Sequence, residues 1–275
     1  MTCAVSSNNA EGQLVLAING ADERLQLALG RLSEPEATDL PCVELLAAQE
    51  WTVPGQAIGF LIPGVQAMLG GLGLAVRDVP SIACVNGPGS FTGVRMSLAA
   101  AQGLAAGSGA LIAGINHLEL LAHDAATLAE GAVLALTWSR RGQVYAQAYT
   151  AGQNDRVTAL CPPLALRLDE LPELIATLPR PLRLLGGGLR RNLPFFEEQA
   201  ATTPGILLLP RRFDAPRAET LLTLAAQATF LPAAAVEPVY LRASDAEDNL
   251  PAIAASRGLD LAEAQAILDR GSRTL

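Results

Sequence analysis

Between Asp78 and Glu119 the chain carries a single charge, Arg95. Within that span Ser81–Val85 has the apolar character of a buried strand, and Asn86–Gly93 is a glycine-rich loop. Val94–Ala106 follows as a helix and Ala110–Ile115 as a second buried strand. Strand, loop, helix and strand in that order make one unit of an α/β fold. A helix that is nonpolar all round needs cover on every side, so this unit must sit inside a larger core or against another surface.

The flanking sequence extends the unit. Leu14–Ile18 is a short apolar run, and Leu25, Leu27 and Leu29 alternate with Arg24, Gln26 and Ala28, the period of a half-buried strand; Asn19-Gly20 between them is a hairpin signal. Arg31–Glu50 reads as a polar, proline-containing connection. Trp51–Val76 is again uncharged, with Ile58, Leu61, Ile62, Val65, Leu69 and Leu72 at helical spacing and Pro63 set to kink that helix or mark its first turn. The second half repeats the order. A hairpin (Ala132–Thr137 and Gln143–Tyr149, turning at Trp138–Gly142) leads through a helix at Leu168–Leu178 to a strand at Leu182–Leu185. Gly186-Gly187-Gly188 and a helix from Leu189 follow. Both halves place a glycine-rich turn between a strand and a helix after a hairpin, so a duplicated α/β architecture is expected. Its parts are residues 1–114 as the first lobe, 115–215 as the second, and 216–242 with a helix at 216–230 returning to the first lobe. In the tail, 243–275, Leu259, Leu261, Ala264, Ile267 and Leu268 have the spacing of a short terminal helix.

Composition removes whole classes of chemistry. All 19 basic residues are arginine. A phosphate-loop lysine, a kinase lysine, a pyridoxal Schiff base and a lysine general base are therefore excluded. With 27 acidic residues the net charge is −8, which argues against this chain alone being the main grip on a nucleic acid. Cys3, Cys42, Cys84 and Cys161 are far apart, without the spacing of a disulfide scaffold or zinc site. No basic segment precedes an apolar run at the N-terminus, so a cytoplasmic protein is expected. The two uncharged stretches hold prolines, glycines and amides enough to read as buried or interfacial helices rather than membrane spans.

Two groups of residues stand out. In Gly87-Pro88-Gly89-Ser90-Phe91-Thr92-Gly93, followed by Val94 and Arg95, glycines allow several amides to converge at a helix start. Gly87, Gly89, Ser90, Thr92, Gly93 and Arg95 form either an anion-binding loop or a tight strand-to-helix turn capped by Ser90 or Thr92. The second group lies on the uncharged helices: Ile58, Phe60, Leu61, Gly64, Val65 and Met68, with Val94, Leu98 and Ala101. These are either buried in one core or docked on another protein. No catalytic residue is assigned. Ser90 is outside a nucleophile elbow because position 92 is threonine. His117 and His123, six residues apart, fall on different faces of a helix and read as capping or surface histidines rather than a metal pair.

At Asn86–Arg95 the sequence resembles the TsaB (YeaZ) family, which shares the run GPGSFTG[LV]R and then a helix with Ala101-Gln102-Gly103-Leu104-Ala105. Arg140 with Gly142-Gln143-Val144-Tyr145, the triple glycine at 186–188 and Pro238-Val239-Tyr240-Leu241-Arg242 extend the match over about residues 13–242. The resemblance implies an actin-like, RNase H-like fold of two related lobes (the ASKHA class). It implies a role as a noncatalytic subunit in bacterial synthesis of N6-threonylcarbamoyladenosine (t6A) at position 37 of tRNA. The partners it implies are the catalytic paralogue TsaD and the ATP-binding TsaE, with tRNA met through the complex and a homodimer as the other arrangement. The family's dimer surface lies on the N-lobe helices. No resident cofactor or metal is implied, with ATP or ADP entering only alongside partners. The competing reading is a nucleotide-dependent ATPase or phosphotransferase of the same superfamily, with Gly87–Arg95 as its phosphate loop.

The sequence also departs from the resemblance. Asn19-Gly20-Ala21 stands where the family has Asp-Thr-[SA], and Trp138 stands where its hairpin has aspartate. His117 echoes the first metal-binding histidine of the paralogue, but the second position is Leu121.

Overall fold

The computed structural model describes residues 12–33, 42–127, 130–152 and 156–242, with 254–256, 258 and 260 beyond them. It divides into two compact units, 1–239 and 240–275.

The first unit contains two sheets of the same plan. In the first, β1 (Gln13–Asn19) pairs antiparallel with β2 (Arg24–Ser33), which pairs antiparallel with β3 (Cys42–Thr52). On its other side β1 runs parallel to β4 (Ser81–Gly87), and β4 parallel to β5 (Leu111–Asn116), giving the order β3-β2-β1-β4-β5. In the second sheet β6 (Ala132–Arg140) pairs antiparallel with β7 (Gln143–Ala151), and β7 with β8 (Val157–Ala159) and β9 (Leu164–Arg167). Strand β6 runs parallel to β10 (Leu182–Leu185), which runs parallel to β11 (Ile206–Leu208), giving β11-β10-β6-β7-β8. The two orders superimpose as a hairpin beside two parallel strands, so the fold is a duplicated, actin-like α/β architecture.

Helices cover the sheets. Helix α1 (Ile58–Gly71) and α2 (Phe91–Ser108) pack Leu61, Val65, Met68, Leu98 and Ala101 onto Leu16, Ile18, Leu25 and Leu27 of the first sheet. The same sheet's other face carries α7 (Ala218–Gln227), whose Leu221, Leu222, Leu224 and Ala225 meet Val15, Ala17, Ala28 and Val85. Gly30 admits α7: a Cβ there would lie 2.6 Å from Leu222 Cδ1. Helix α3 (His117–Ala126) joins the sheets, started by Asn116, whose Oδ1 accepts the N–H groups of Leu118 (2.9 Å) and Glu119 (3.3 Å). The second sheet packs its own core of Leu134, Leu136, Val144, Ile175, Leu184 and Phe196 under α4 (Leu171–Thr177), α5 (Gly187–Arg191) and α6 (Leu193–Thr202).

Several boundaries differ from the sequence expectation. The connection expected over 31–50 contains the end of β2 and most of β3. Helix α2 begins at Phe91 rather than Val94 because Ser90 caps it, and α5 begins at Gly187 rather than Leu189 because Gly186 turns the chain at φ 101°. Pro63 lies within α1, which continues through it on the exposed side. Strands β8, β9 and β11 were not expected from the sequence. Cys84 and Cys161 are free thiols. Among the described residues no helix is long and apolar enough to cross a membrane. In the second unit residues 254–256 form a helical turn; the terminal helix expected from Leu259 to Leu268 falls outside the described residues.

Candidate functional site

The glycine-rich loop sits against the β1–β2 turn. Ser90 donates its backbone N–H to the Ala21 carbonyl at 2.7 Å, and its Oγ accepts the Gly93 N–H at 3.3 Å, while Val94 N–H returns to the Ser90 carbonyl at 2.9 Å. The amides of Ser90, Gly93 and Val94 are thus all engaged inside the fold. Glycine is required by contact: a Cβ on Gly89 would lie 2.3 Å from the Ala21 carbonyl oxygen, and one on Gly93 would lie 2.1 Å from that of Gly20. Gly87, at φ 119°, faces the Val239 carbonyl, and Val239 N–H donates to the Asn86 carbonyl at 2.7 Å. Thr92 is exposed, and Arg95 lies 3.8 Å over the Phe91 ring.

The two uncharged helices lie side by side and turn different residues outward from those the sequence suggested. Leu61, Gly64, Val65 and Met68 of α1, with Val94, Leu98 and Ala101 of α2, are buried against the first sheet. Phe60 is half-buried against Trp51, and a Cβ on Gly64 would meet the same indole at 2.6 Å. Those side chains are core, because helices laid on a sheet commit one full face to it. Of the proposed contact residues Ile58 alone is exposed, at 76%, and it is joined on the surface by Ile62, Pro63, Ala67, Gly70 and Leu72. On α2 the outward residues are Phe91, Thr92, Arg95, Ala99, Gly103, Ala106 and Gly107.

A cleft of about 310 Å³ opens between the ends of the two sheets. Its first wall is the β1–β2 turn. Asn19 is fully engaged, its Nδ2 donating to Gln26 Oε1 at 2.8 Å and its Oδ1 accepting the Ala21 N–H at 3.1 Å. Asp22 reaches across, its Oδ1 accepting Glu23 N–H at 2.8 Å and its Oδ2 facing Thr137 Oγ1 at 3.5 Å. A Cβ on Gly187 would fall 2.3 Å from that Oδ2, so a larger residue there would displace the carboxylate from this position. Burial raises the Asp22 pKa against the lowering influence of the Glu23 amide. The opposite wall is arginine: Arg191 pairs with Glu23 and stacks over Trp138 at 4.5 Å, and Arg190 Nε binds both Asp214 oxygens at 3.0 and 2.7 Å. Burial pushes the Asp214 carboxyl up more than Arg190 draws it down.

His117 sits at the base of this cleft, 1% exposed, with neither ring nitrogen hydrogen-bonded. Burial pushes its pKa down to about 4, so the ring is neutral near pH 7. His123 is 4% exposed. Both histidines were expected at a cap or the surface; they are buried instead because α3 runs between the sheets. Asp22, Arg190, Arg191 and Asp214 were missed in the sequence because only the apposition of the two lobes brings them together.

An actin-like fold implies a metal-bound nucleotide in such a cleft, and these residues do not fit one. The β1 end offers the Asn19 amide, already spent, where a metal-organising carboxylate would stand. Leu121 occupies the position beside His117 on the helix face, and no group of three or more His, Cys, Asp or Glu able to hold a metal occurs among the described residues.

Comparison with known proteins follows the same lines. The family model described as TsaD, tRNA N6-adenosine threonylcarbamoyltransferase, matches residues 60–164. The tRNA threonylcarbamoyladenosine biosynthesis protein TsaB of Escherichia coli (strain K12) is 30% identical over 197 residues, 70% of this chain and 83% of the relative. The protein of that name from Bacillus subtilis (strain 168) is 27% identical over 186 residues, 68% of this chain and 80% of the relative. The structure of YeaZ from Pseudomonas aeruginosa superposes with a TM-score of 0.64 at 26% identity, covering 83% of this chain and 100% of that one.

Proposed function

The chain belongs to the TsaB family of tRNA threonylcarbamoyladenosine biosynthesis proteins, and on that premise we propose that it acts as a noncatalytic subunit that pairs with TsaD through the outward faces of α1 and α2. One observation carries the reading: the exposed surface of these neighbouring helices is mostly apolar and, Arg95 apart, uncharged, with Ile58 76% and Ile62 39% exposed and Gln66 and Thr92 as its uncharged polar members. Exposing side chains of that kind to water is unfavourable, and covering them stabilises by about 25 cal/mol per Å². Small residues at Ala67, Gly70, Ala99, Gly103 and Ala106 let a partner's helices approach closely.

The noncatalytic role draws support from the cleft, where the described residues bring together no group of His, Cys, Asp or Glu able to hold a metal-bound nucleotide, and from Ser90, whose hydroxyl caps α2. Reactive chemistry then belongs to TsaD, which the assembly holds in a competent arrangement. ATP or ADP enters only with partners, TsaE among them. An acidic chain without lysine leaves the tRNA phosphates to those partners.

The test is mixed reconstitution. Wild-type protein co-elutes with TsaD and supports t6A formation; Ile62→Asp and Ala106→Asp keep their melting curves but lose both. Equal t6A formation with this protein omitted refutes the reading.

A further inference from the structure

We propose that the cleft between the two sheets is a binding site for a small zwitterion, an α-amino acid with a short hydroxylated side chain. The proposal goes beyond partner pairing and does not depend on it.

The first support is His117. A buried polar side chain without a hydrogen-bond partner is costly, and such groups persist where something else supplies the bond. Both imidazole nitrogens are in this state at the base of the cleft. A neutral imidazole presents one donor and one acceptor on opposite edges of the ring, so a ligand hydroxyl in the cleft satisfies one of them and ordered water the other.

Charge gives the second. Seven charged side chains line the cleft, four arginines and three carboxylates. Arg191 is held by Glu23, Arg190 by Asp214, and Arg24 by Glu50 outside it. Among the described residues that leaves one cation, Arg211, whose electrostatic neighbour is the already engaged Asp214, and one carboxylate, Asp22, which feels the Arg191 charge but whose Oδ2 has only Thr137, at 3.5 Å, as a hydrogen-bond donor. One free cation and one under-satisfied anion on the walls complement a ligand bearing one of each: its carboxylate meets Arg211 and its ammonium meets Asp22. A triphosphate would instead bring several negative charges to a cleft whose arginines, Arg211 apart, are already paired with carboxylates, and no metal-holding cluster occurs among the described residues to offset them. A cavity of about 310 Å³ holds a small amino acid together with ordered water.

Titration calorimetry and ligand-observed NMR on the full chain test this, with L-serine, L-threonine, L-alanine and magnesium ATP as probes. Expected is saturable binding of L-serine and L-threonine, about tenfold weaker binding of L-alanine for the lost hydroxyl bond, and none of ATP. Arg211→Gln weakens all three amino acids about tenfold or more. His117→Phe abolishes the preference over alanine, and His117→Gln, which keeps a donor and an acceptor, restores part of it, with melting curves confirming that each variant folds. No amino acid binding at millimolar concentration, alanine binding as tightly as serine, or ATP binding more tightly than either overturns the proposal. Because the probes are added to the isolated chain, failure here leaves the pairing with TsaD standing.

Discussion

Ser90 donates its backbone N–H to the carbonyl oxygen of Ala21 at 2.7 Å, and this bond ties the start of α2 to the β1–β2 turn. Gly93 completes the joint. In an ordinary helix Gly→Ala stabilises by about 0.5–1 kcal/mol. Here the new Cβ would stand 2.1 Å from the Gly20 carbonyl, and a backbone atom cannot swing aside. Gly93→Ala is therefore expected to destabilise, by about 1–3 kcal/mol in urea melts. Ser90→Ala, which removes only the cap, should cost about 1 kcal/mol.

The division of α1 into a core face and an outward face can be read by two alanines. Leu61 is fully buried among Leu16, Leu25 and Leu27, so Leu61→Ala should cost about 2–5 kcal/mol. Ile62, one residue along and 39% exposed, should cost under about 1 kcal/mol when cut to alanine. If pairing uses the outward face, Ile62→Ala should nevertheless weaken TsaD binding in a pull-down while Leu61→Ala, where it still folds, should not.

Sequence periodicity located both uncharged helices and the strands that flank α2, because a run without charge can only be covered. It could not say which side faced the sheet. A helix apolar all round has no polar stripe to mark the outside, so Val65 and Ile62 look alike until the sheet is placed. Strand β3 escaped for a related reason: as an edge strand it alternates half-buried with exposed residues, and Leu45-Leu46-Ala47-Ala48 breaks the apolar-polar rhythm. The glycine turns were legible as turns, but their purpose was not. A Cβ at Gly187 would meet the carboxylate of Asp22, 165 positions earlier, which no local pattern could announce. The cleft residues share no local pattern at all, since duplication of the fold and not proximity in the chain assembles them.

Asp124 links α3 to α7. It accepts Thr220 Oγ1 at 2.6 Å and the Arg217 guanidinium at 3.0 and 3.2 Å. Burial alone would raise its pKa, but the hydrogen bonds from His123, Arg217 and Thr220 and the Arg217 charge outweigh it and hold the carboxyl well below the usual range. A depressed carboxylate stabilises the fold above its unfolded value of 3.8 and loses that contribution as pH falls below it. Asp124→Asn should therefore lower stability at neutral pH by about 1–3 kcal/mol and leave less further loss in acid. Arg217 is mostly exposed, so Arg217→Ala should cost less than Thr220→Val.

His117 gives the clearest pH dependence. Its pKa stands near 4 in the fold against 6.5 when unfolded. Between those values the unfolded chain holds a proton that the folded chain refuses, so acid favours unfolding. The contribution is fully present above pH 6.5, shrinks as pH falls, and is gone by pH 4, a total of about 3 kcal/mol. Asp22 and Glu119 work the other way in acid, because burial raises their pKa and protonation relieves a cost of folding. The slope of the wild type alone mixes these effects. Comparison with His117→Leu separates them: the stability of the wild type relative to the variant should fall by about 3 kcal/mol from pH 6.5 to pH 4 in urea melts. A constant difference across that window would mean that the imidazole takes up its proton in the folded state as readily as in water, with solvent reaching the base of the cleft.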